Sequence, residues 1–292
     1  MSRRAFDIVP SPEGGSSANV SINHDEFLQF RDFLQSNSGI ILGDNKQYLV
    51  NSRLARIIDE YKFSGFGELM QKIKIDASLR KRIMNAMTTN ETSWFRDNYP
   101  YEILKQSLLP EFAKARLPRI RIWSAACSSG QEPYSLSMVV SEYLMSQPGA
   151  ISNEIVEIIG TDLSSEILDQ AKLGIYDDSS LARGLSEERK KRFFRAVNDK
   201  WEVNADVKQR ISFREMNLMQ SYTLLGKFDV IFCRNVLIYF STDLKKDIIH
   251  RMSKSLNRGG YLVLGGSESV SGYSDAFELV RWNTGVVYRL KP

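Results

Sequence analysis

The chain has 292 residues, 42% of them hydrophobic, and carries 39 basic against 35 acidic side chains, a formal surplus of +4. So mild a charge is unlike a histone-like nucleic-acid binder, and the apolar content is enough for one large domain or two smaller ones with a substantial core. Two cysteines, Cys127 and Cys233, exclude a disulfide scaffold and a zinc knuckle, and with only two histidines, His24 and His250, no metal site is expected.

Residues 1–20, rich in Pro, Gly and Ser, read as a disordered lead-in. No apolar run follows Arg3 and Arg4, so a signal peptide is not expected there. No stretch reaches the roughly 18 apolar residues of a membrane span. The expectation is a cytoplasmic protein without direct membrane insertion.

From residue 21 to 88 the apolar spacing is helical. Phe27, Phe30 and Leu34 share one face, and Val50, Leu54, Ile58 and Tyr61 share the next. Leu69, Ile73, Leu79, Ile83 and Met87 continue the series, so a small all-helical domain is predicted. Between Lys46 and Arg82 nine basic residues face four acidic ones. That excess is read either as solvated helix faces or as a surface for an acidic partner. Arg53 and Arg56, three apart, are expected to project together.

Residues 89–117 read as a joint carrying NETSWFRD, and residues 118–292 change rhythm. RIRIWSAA, IVEIIGTDL, ISFREMNL, FDVIFCRN and GGYLVLGG read as strands separated by helices. The last segment, FELVRWNTGVVYRLK, reads as a hairpin. The predicted class is α/β: a doubly wound, mostly parallel sheet with a C-terminal antiparallel hairpin. A small β-subdomain is expected to be inserted at about 176–215, alongside the N-terminal all-helical domain.

Ligands of open parallel sheets sit outside the carboxyl ends of the strands, so polar groups there are the candidates. The turn AACSSG, with Ala126, lets a backbone approach a ligand, and Glu132 follows it in the first turn of a helix, where it suits an amine-bearing ligand. Asp162 ends the second strand and could accept two ribose hydroxyls, or it could cap the next helix, a task open to Ser164 as well. Asn217 and Leu218 close a strand where a nucleobase could be read, and Arg234, Asn235 and Tyr239 follow VIFC. In the joint, Asn90, Thr92 and Arg96 either belong to an interdomain cleft or cap a linker.

NETSWFRD, AACSSGQEPYSLSM, IIGTDLSSEIL, FDVIFCRNVLIYF and LNRGGYLVLGGSES together resemble the CheR family of chemotaxis receptor methyltransferases, in the family's order and from about residue 24 to 290. The resemblance implies a sheet of the S-adenosylmethionine methyltransferase type. It also implies methyl esterification of glutamate side chains on the cytoplasmic helices of methyl-accepting chemotaxis proteins, with S-adenosylhomocysteine as product. By that likeness Asn90, Thr92, Arg96, Ala126, Glu132, Asp162, Asn217, Leu218, Arg234 and Asn235 contact the cofactor. Arg96 and Tyr239 stand beside the methyl group and the incoming carboxylate, and Arg53 and Arg56 belong to the receptor-docking face. The inserted subdomain, FFRAVNDKWEVNADVKQRISF, lacks the glycine-containing loop with which some members tether to a receptor's C-terminal pentapeptide. A pentapeptide-independent, monomeric enzyme recruited to membrane-associated receptor arrays is therefore expected, with no nucleic acid as partner. The rival readings are a nucleic-acid methyltransferase and a non-catalytic S-adenosylmethionine-binding adaptor.

Overall fold

The computed structural model describes residues 21–292; the lead-in expected at 1–20 lies outside them. Four helices come first: α1 (His24–Ser38), α2 (Gln47–Glu60), α3 (Phe66–Ile75) and α4 (Ala77–Met87). A reciprocal cap starts α1: the Asn23 side chain accepts from the Glu26 amide, and the Glu26 carboxylate accepts from the Asn23 amide. The predicted faces close on one another, with Phe27, Phe30, Leu34, Val50, Leu54, Leu69, Ile73, Leu79 and Ile83 all buried. Tyr61 departs from the expectation: it lies one residue beyond α2 and stays exposed, stacked on Phe63.

The joint runs through Thr88–Asn98 into α5 (Tyr99–Ile103), a π-helical turn (Leu104–Leu108) and α6 (Leu109–Lys114). Pro110 has no N–H for the carbonyl four residues back, which accounts for the widened turn ahead of it. Next come β1 (Ile120–Ala125), α7 (Gln131–Ser146), β2 (Val156–Asp162) and α8 (Ser165–Leu173). The inserted part holds β3 (Ile175–Tyr176), α9 (Asp178–Leu181), α10 (Glu187–Phe193), β4 (Phe194–Val197) and β5 (Lys200–Val203). After α11 (Ala205–Lys208) follow β6 (Ile211–Glu215), β7 (Phe228–Cys233), α12 (Thr242–Ser255), β8 (Leu256–Leu264), β9 (Phe277–Trp282) and β10 (Gly285–Leu290).

Seven strands form one sheet in the order β6-β2-β1-β7-β8-β10-β9. The five from β6 to β8 are parallel, and β9 and β10 close the edge as the predicted antiparallel hairpin. The two-residue period of the strands splits the core in two. Ile120, Ile122, Ile158, Val230 and Phe232 join the layer of α5 and α7, while Trp123, Ile159, Ile231 and Cys233 join that of α12. The inserted boundary is corrected. The three-stranded sheet β3-β5-β4 ends at Val203, and β6, placed inside the insertion by sequence, pairs with β2 in the large sheet. ISFRE reads as a strand, but its polar, half-exposed residues resemble those of the insertion because an edge strand of the large sheet is only partly buried.

The helical domain is fastened to the sheet domain. Gly39 ends α1 in the left-handed region (φ +76°) and comes so close to Leu244, Phe240 and Met219 that an added methyl would sit 2.4 Å from Leu244 Cδ2. Beside it the Ile41 amide donates to the Tyr239 carbonyl (2.9 Å) and Lys81 pairs with Glu215 (2.7 Å). The insertion grips the joint in a similar way: the Trp94 amide donates to the Arg183 carbonyl (2.9 Å), and the Trp94 ring packs edge-on against Tyr176 and Phe194. Gly184 makes this approach feasible, since at φ +99° a methyl there would sit 2.1 Å from the Trp94 carbonyl oxygen. A Gly184→Ala substitution is therefore expected to cost roughly 1–2 kcal/mol for the backbone conformation alone, and more for the displaced joint. Thermal denaturation should show a lowered Tm, and an unchanged Tm would refute this account of the contact.

Candidate active site

The sheet order reverses between β1 and β7, and beyond the carboxyl ends of those strands and β2 lies a cleft with about 1000 Å³ of empty space, part of it open to solvent. Three turns and the joint build it.

The turn after β1 places Ala126 (φ 58°) and Ser128 (φ 51°) in the left-handed region before Gly130 (φ 94°) opens α7. Asp162 holds this turn. Its carboxylate accepts from the amides of Ser128 (2.8 Å) and Ser164 (3.0 Å), while Ser164 performs the capping of α8 by accepting from the Ile167 amide. Asp162 lines the cleft, and these two bonds do not exhaust the four or so acceptor positions of a carboxylate, so it can still accept from a hydroxyl. Burial pushes the Asp162 carboxyl above its ordinary range, against the opposing pull of the backbone amides.

At the end of β7, Arg234 turns inward, its side chain 2% exposed. It donates to Glu132 (3.0 Å), to Asp97 (2.6 Å) and to the Arg96 carbonyl (2.8 Å), and it lies over the Tyr101 ring. The other oxygen of Glu132 accepts from the Ser124 hydroxyl of β1 (2.7 Å). Asn235 follows with φ 58°, and its side-chain oxygen is buried without a partner among the described residues. A single carboxylate, Glu268, fixes that turn by accepting from the amides of Asn235 (2.7 Å), Val236 (3.0 Å), Leu237 (2.8 Å) and Gly265 (2.8 Å).

The joint crosses the mouth. Phe95, Asp97 and Asn98 all have positive φ (47°, 65° and 50°), and such clusters of left-handed residues persist only where the surroundings over-determine them. Asn90 reaches the Thr88 hydroxyl (3.2 Å) and its carbonyl accepts from Ser128 (2.9 Å). Thr92 lines the cleft beside it. Arg96 touches only the Glu91 carbonyl (3.3 Å), and among the described residues no carboxylate pairs with it. The two arginines that sequence placed at the cofactor thus differ: Arg234 is consumed by acids, and Arg96 keeps its charge for the cleft.

Asn217, Leu218 and Tyr239 complete the wall. The Asn217 side-chain oxygen accepts from the Met219 amide (2.9 Å) and its side-chain NH2 donates to the Asn37 carbonyl of α1 (2.7 Å), which leaves one N–H for a ligand. Leu218 is buried in the core of the α12 layer.

Arg53 and Arg56 do not project together. Arg53 folds back onto the end of α4, while Arg56 extends into solvent and pairs with Glu60 (2.7 Å). A three-residue offset on a helix sets the two Cβ directions, but long side chains follow their acceptors. The sequence reading also did not single out wall residues of the helical domain (Ser38, Ile40, Met87, Thr88), Thr89 of the joint, or the clamps Asp97 and Glu268. Asp97 closes the quoted segment NETSWFRD and Glu268 is the lone acid in GGSES, but neither position says in sequence what the acid holds. Cys127 and Cys233 are buried thiols, pushed up by burial and not bonded to each other. Among the described residues no group of three or more His, Cys, Asp or Glu side chains is arranged to hold a metal ion. No described helix is long and apolar enough to cross a membrane.

The chain matches the family model described as CheR methyltransferase, SAM binding domain, over residues 90–286, and that described as CheR methyltransferase, all-alpha domain, over residues 25–88. It is 50% identical over 275 residues to Chemotaxis protein methyltransferase 1 of Vibrio cholerae serotype O1, covering 93% of this chain and 99% of that one. The Chemotaxis protein methyltransferase of Vibrio anguillarum matches equally, at 50% over 275 residues with 93% and 99% covered. Chemotaxis protein methyltransferase 1 of Pseudomonas aeruginosa is 48% identical over 275 residues, covering 93% of this chain and all (100%) of that one. Matches of this identity, running through both the helical and the sheet domain, make the chain a member of the CheR methyltransferase family and an S-adenosylmethionine-dependent methyltransferase.

Proposed function

We propose that the protein transfers the methyl group of S-adenosylmethionine to glutamate side chains on the cytoplasmic helices of chemoreceptors, giving glutamate methyl esters and S-adenosylhomocysteine. The observation that carries this reading is the cleft's charge inventory. Among the described residues it offers one unpaired cation, Arg96, and no histidine lines it. A glutamate side chain with a pKa of about 4.3 is already ionised at neutral pH, so its attack needs no general base.

The cofactor suits the residues present. Asp162 has acceptor positions for ribose hydroxyls, Glu132 presents negative charge at the head of α7, and the Asn235 side-chain oxygen is a buried acceptor in need of a donor. Bound there, S-adenosylmethionine supplies a methyl group on a positively charged sulfur. Attack by the glutamate oxygen forms the C–O bond as the C–S bond breaks, and the bonding pair stays on sulfur. Negative and positive charge cancel along this path, so the protein's task is alignment and exclusion of water. Arg96 orients the incoming carboxylate; full neutralisation would favour the ground state over the transition state. Tyr239, which also lines the cleft and is anchored through its carbonyl to the helical domain, directs its hydroxyl toward the same carboxylate.

The docking face is the helical domain, where Arg56 is exposed. The enzyme works as a cytoplasmic monomer recruited to receptor arrays, without pentapeptide tethering. Strands β4 and β5 are joined by Asn198 and Asp199 alone, since Val197 pairs with Lys200, and so short a turn offers a peptide little extra edge. Several basic residues behind the nucleic-acid reading are already engaged, which weakens it. Arg80 donates to the Ile73 and Lys74 carbonyls, Lys81 pairs with Glu215, and Arg82 pairs with Glu60.

Radiolabelled S-adenosylmethionine incubated with receptor cytoplasmic fragments should yield label that mild base releases as methanol; base-stable label would exclude a carboxyl ester. Arg96→Ala should lower the transfer rate at least tenfold with Tm nearly unchanged. Arg234→Ala, which strands Glu132 and Asp97, should instead cost about 3–5 kcal/mol of stability in denaturant titrations. Equal stability losses would show that the two arginines do not divide the work in this way. Because protonation removes an acceptor for ribose hydroxyls, S-adenosylhomocysteine affinity should fall as pH drops, with a midpoint above the usual aspartate value of about 3.9. Calorimetry across pH should find this dependence abolished in Asp162→Asn, and an identical profile in that variant would remove Asp162 from the ribose role.

A further inference from the structure

The short helix that follows the strained joint, α5, carries a side chain whose ring is fully packed and whose hydroxyl is not satisfied. Tyr101 is 1% exposed and lines the cleft together with Glu132, Arg234 and Asn235. Phe95 meets its ring edge-on at 5.2 Å, Phe232 stacks on it at 6.5 Å, and the Arg234 guanidinium carbon lies 5.9 Å from its centre. Its Oη nevertheless has no hydrogen-bond partner among the described residues, and a buried hydroxyl left unpaired is costly. Two further buried atoms of cleft-lining residues also lack a partner, the Arg234 Nε and the Asn235 side-chain oxygen. The first is a donor, the second an acceptor, and a hydroxyl can be either. We propose that Tyr101 is a further cofactor-binding residue, its hydroxyl donating to the carboxylate at the amino-acid end of S-adenosylmethionine.

That end of the cofactor carries one ammonium and one carboxylate, and the wall supplies groups of both kinds. Glu132 and the Asn235 oxygen accept, while Tyr101 and the Arg234 Nε donate. The hydroxyl's own hydrogen is free for this task. Arg234 can only donate to it, and the Glu132 and Asp97 carboxylates already accept from Arg234. Burial, and after it the negative charge of Glu132, raise the Tyr101 pKa against the pull of Arg234, so the group stays a protonated donor. Tyr134 shows the contrast: it is equally buried, but its hydroxyl donates to the Ala171 carbonyl (2.7 Å) within the fold.

The proposal rests on the cleft holding S-adenosylmethionine, and binding rather than turnover tests it, so no receptor is needed. The hydroxyl is already out of water in the free protein, so the bond it makes to a ligand is not offset by its own desolvation. Tyr101→Phe keeps the ring and removes only that hydroxyl. Titration calorimetry should show its S-adenosylhomocysteine affinity weakened at least about tenfold, the size of one hydrogen bond to a charged group. Methylthioadenosine, which lacks the amino-acid end, should bind the variant and the unsubstituted protein alike. Without ligand the variant's Tm should be level or raised, because an unpaired buried hydroxyl has gone, whereas loss of a structural bond would lower it. Unchanged S-adenosylhomocysteine affinity would overturn the proposal. So would a loss shared equally by both ligands, or one accompanied by a fall in the ligand-free Tm. Failure of the unsubstituted protein to bind S-adenosylhomocysteine is a separate result: it would remove the cofactor from the cleft, and this contact with it.

Discussion

The buried charge of Arg234 is the constraint around which the site is arranged. A guanidinium 2% exposed at the end of a central strand is tolerable only with acids and carbonyls gathered round it. Those partners come from separate places: Glu132 from the start of α7, and Arg96 and Asp97 from the joint. Through Ser124, Glu132 extends the cluster into β1. Satisfying one ion therefore places strand, helix and joint in a single geometry, and that geometry is the cleft. It also explains why Arg96 is free: its backbone is held by Arg234, so its side chain need not be.

Around this cluster, backbone strain is matched by clamps. Ala126, Ser128 and Asn235 hold left-handed conformations without being glycine, and each such turn is tied by a carboxylate, Asp162 for the first two and Glu268 for the third. The clamping acids do not repeat the chemistry of the exposed ion pairs, which solvent screens. They accept from peptide N–H groups that would otherwise be buried without partners.

How much of this could be read in the sequence depended on what kind of information each residue carries. Periodicity is local, so the faces of α1 to α4 and the fully buried strands β1 and β7 were legible from Phe27, Phe30, Ile120 and Val230 outward. Strand ends followed from the same pattern, which is why Asp162, Glu132 and Asn235 were placed at the cleft. Partner choice is not local. Nothing in the spacing of Arg53 and Arg56 says that one turns to the carbonyls of α4 and the other to solvent. Nor does sequence distinguish Arg234, spent on acids, from Arg96, left open. Strand β6 was misplaced for a related reason: an edge strand buries one face, and its polar residues resemble those of an insertion.

The helical and sheet domains are separate matches along the chain, meeting between residues 88 and 90. The wall of the cleft ignores that line: Ser38, Ile40, Met87 and Thr88 come from one side and Asn90, Asp162 and Tyr239 from the other. The boundary by which the chain divides in inheritance thus runs through the middle of a binding surface. A recombination event that exchanged the helical module would carry part of that wall with it. The two modules are in this sense one heritable unit, and compensating changes would be expected on the far side of the seam, at Asn217, Phe240 and Leu244, where Asn37 and Gly39 make contact.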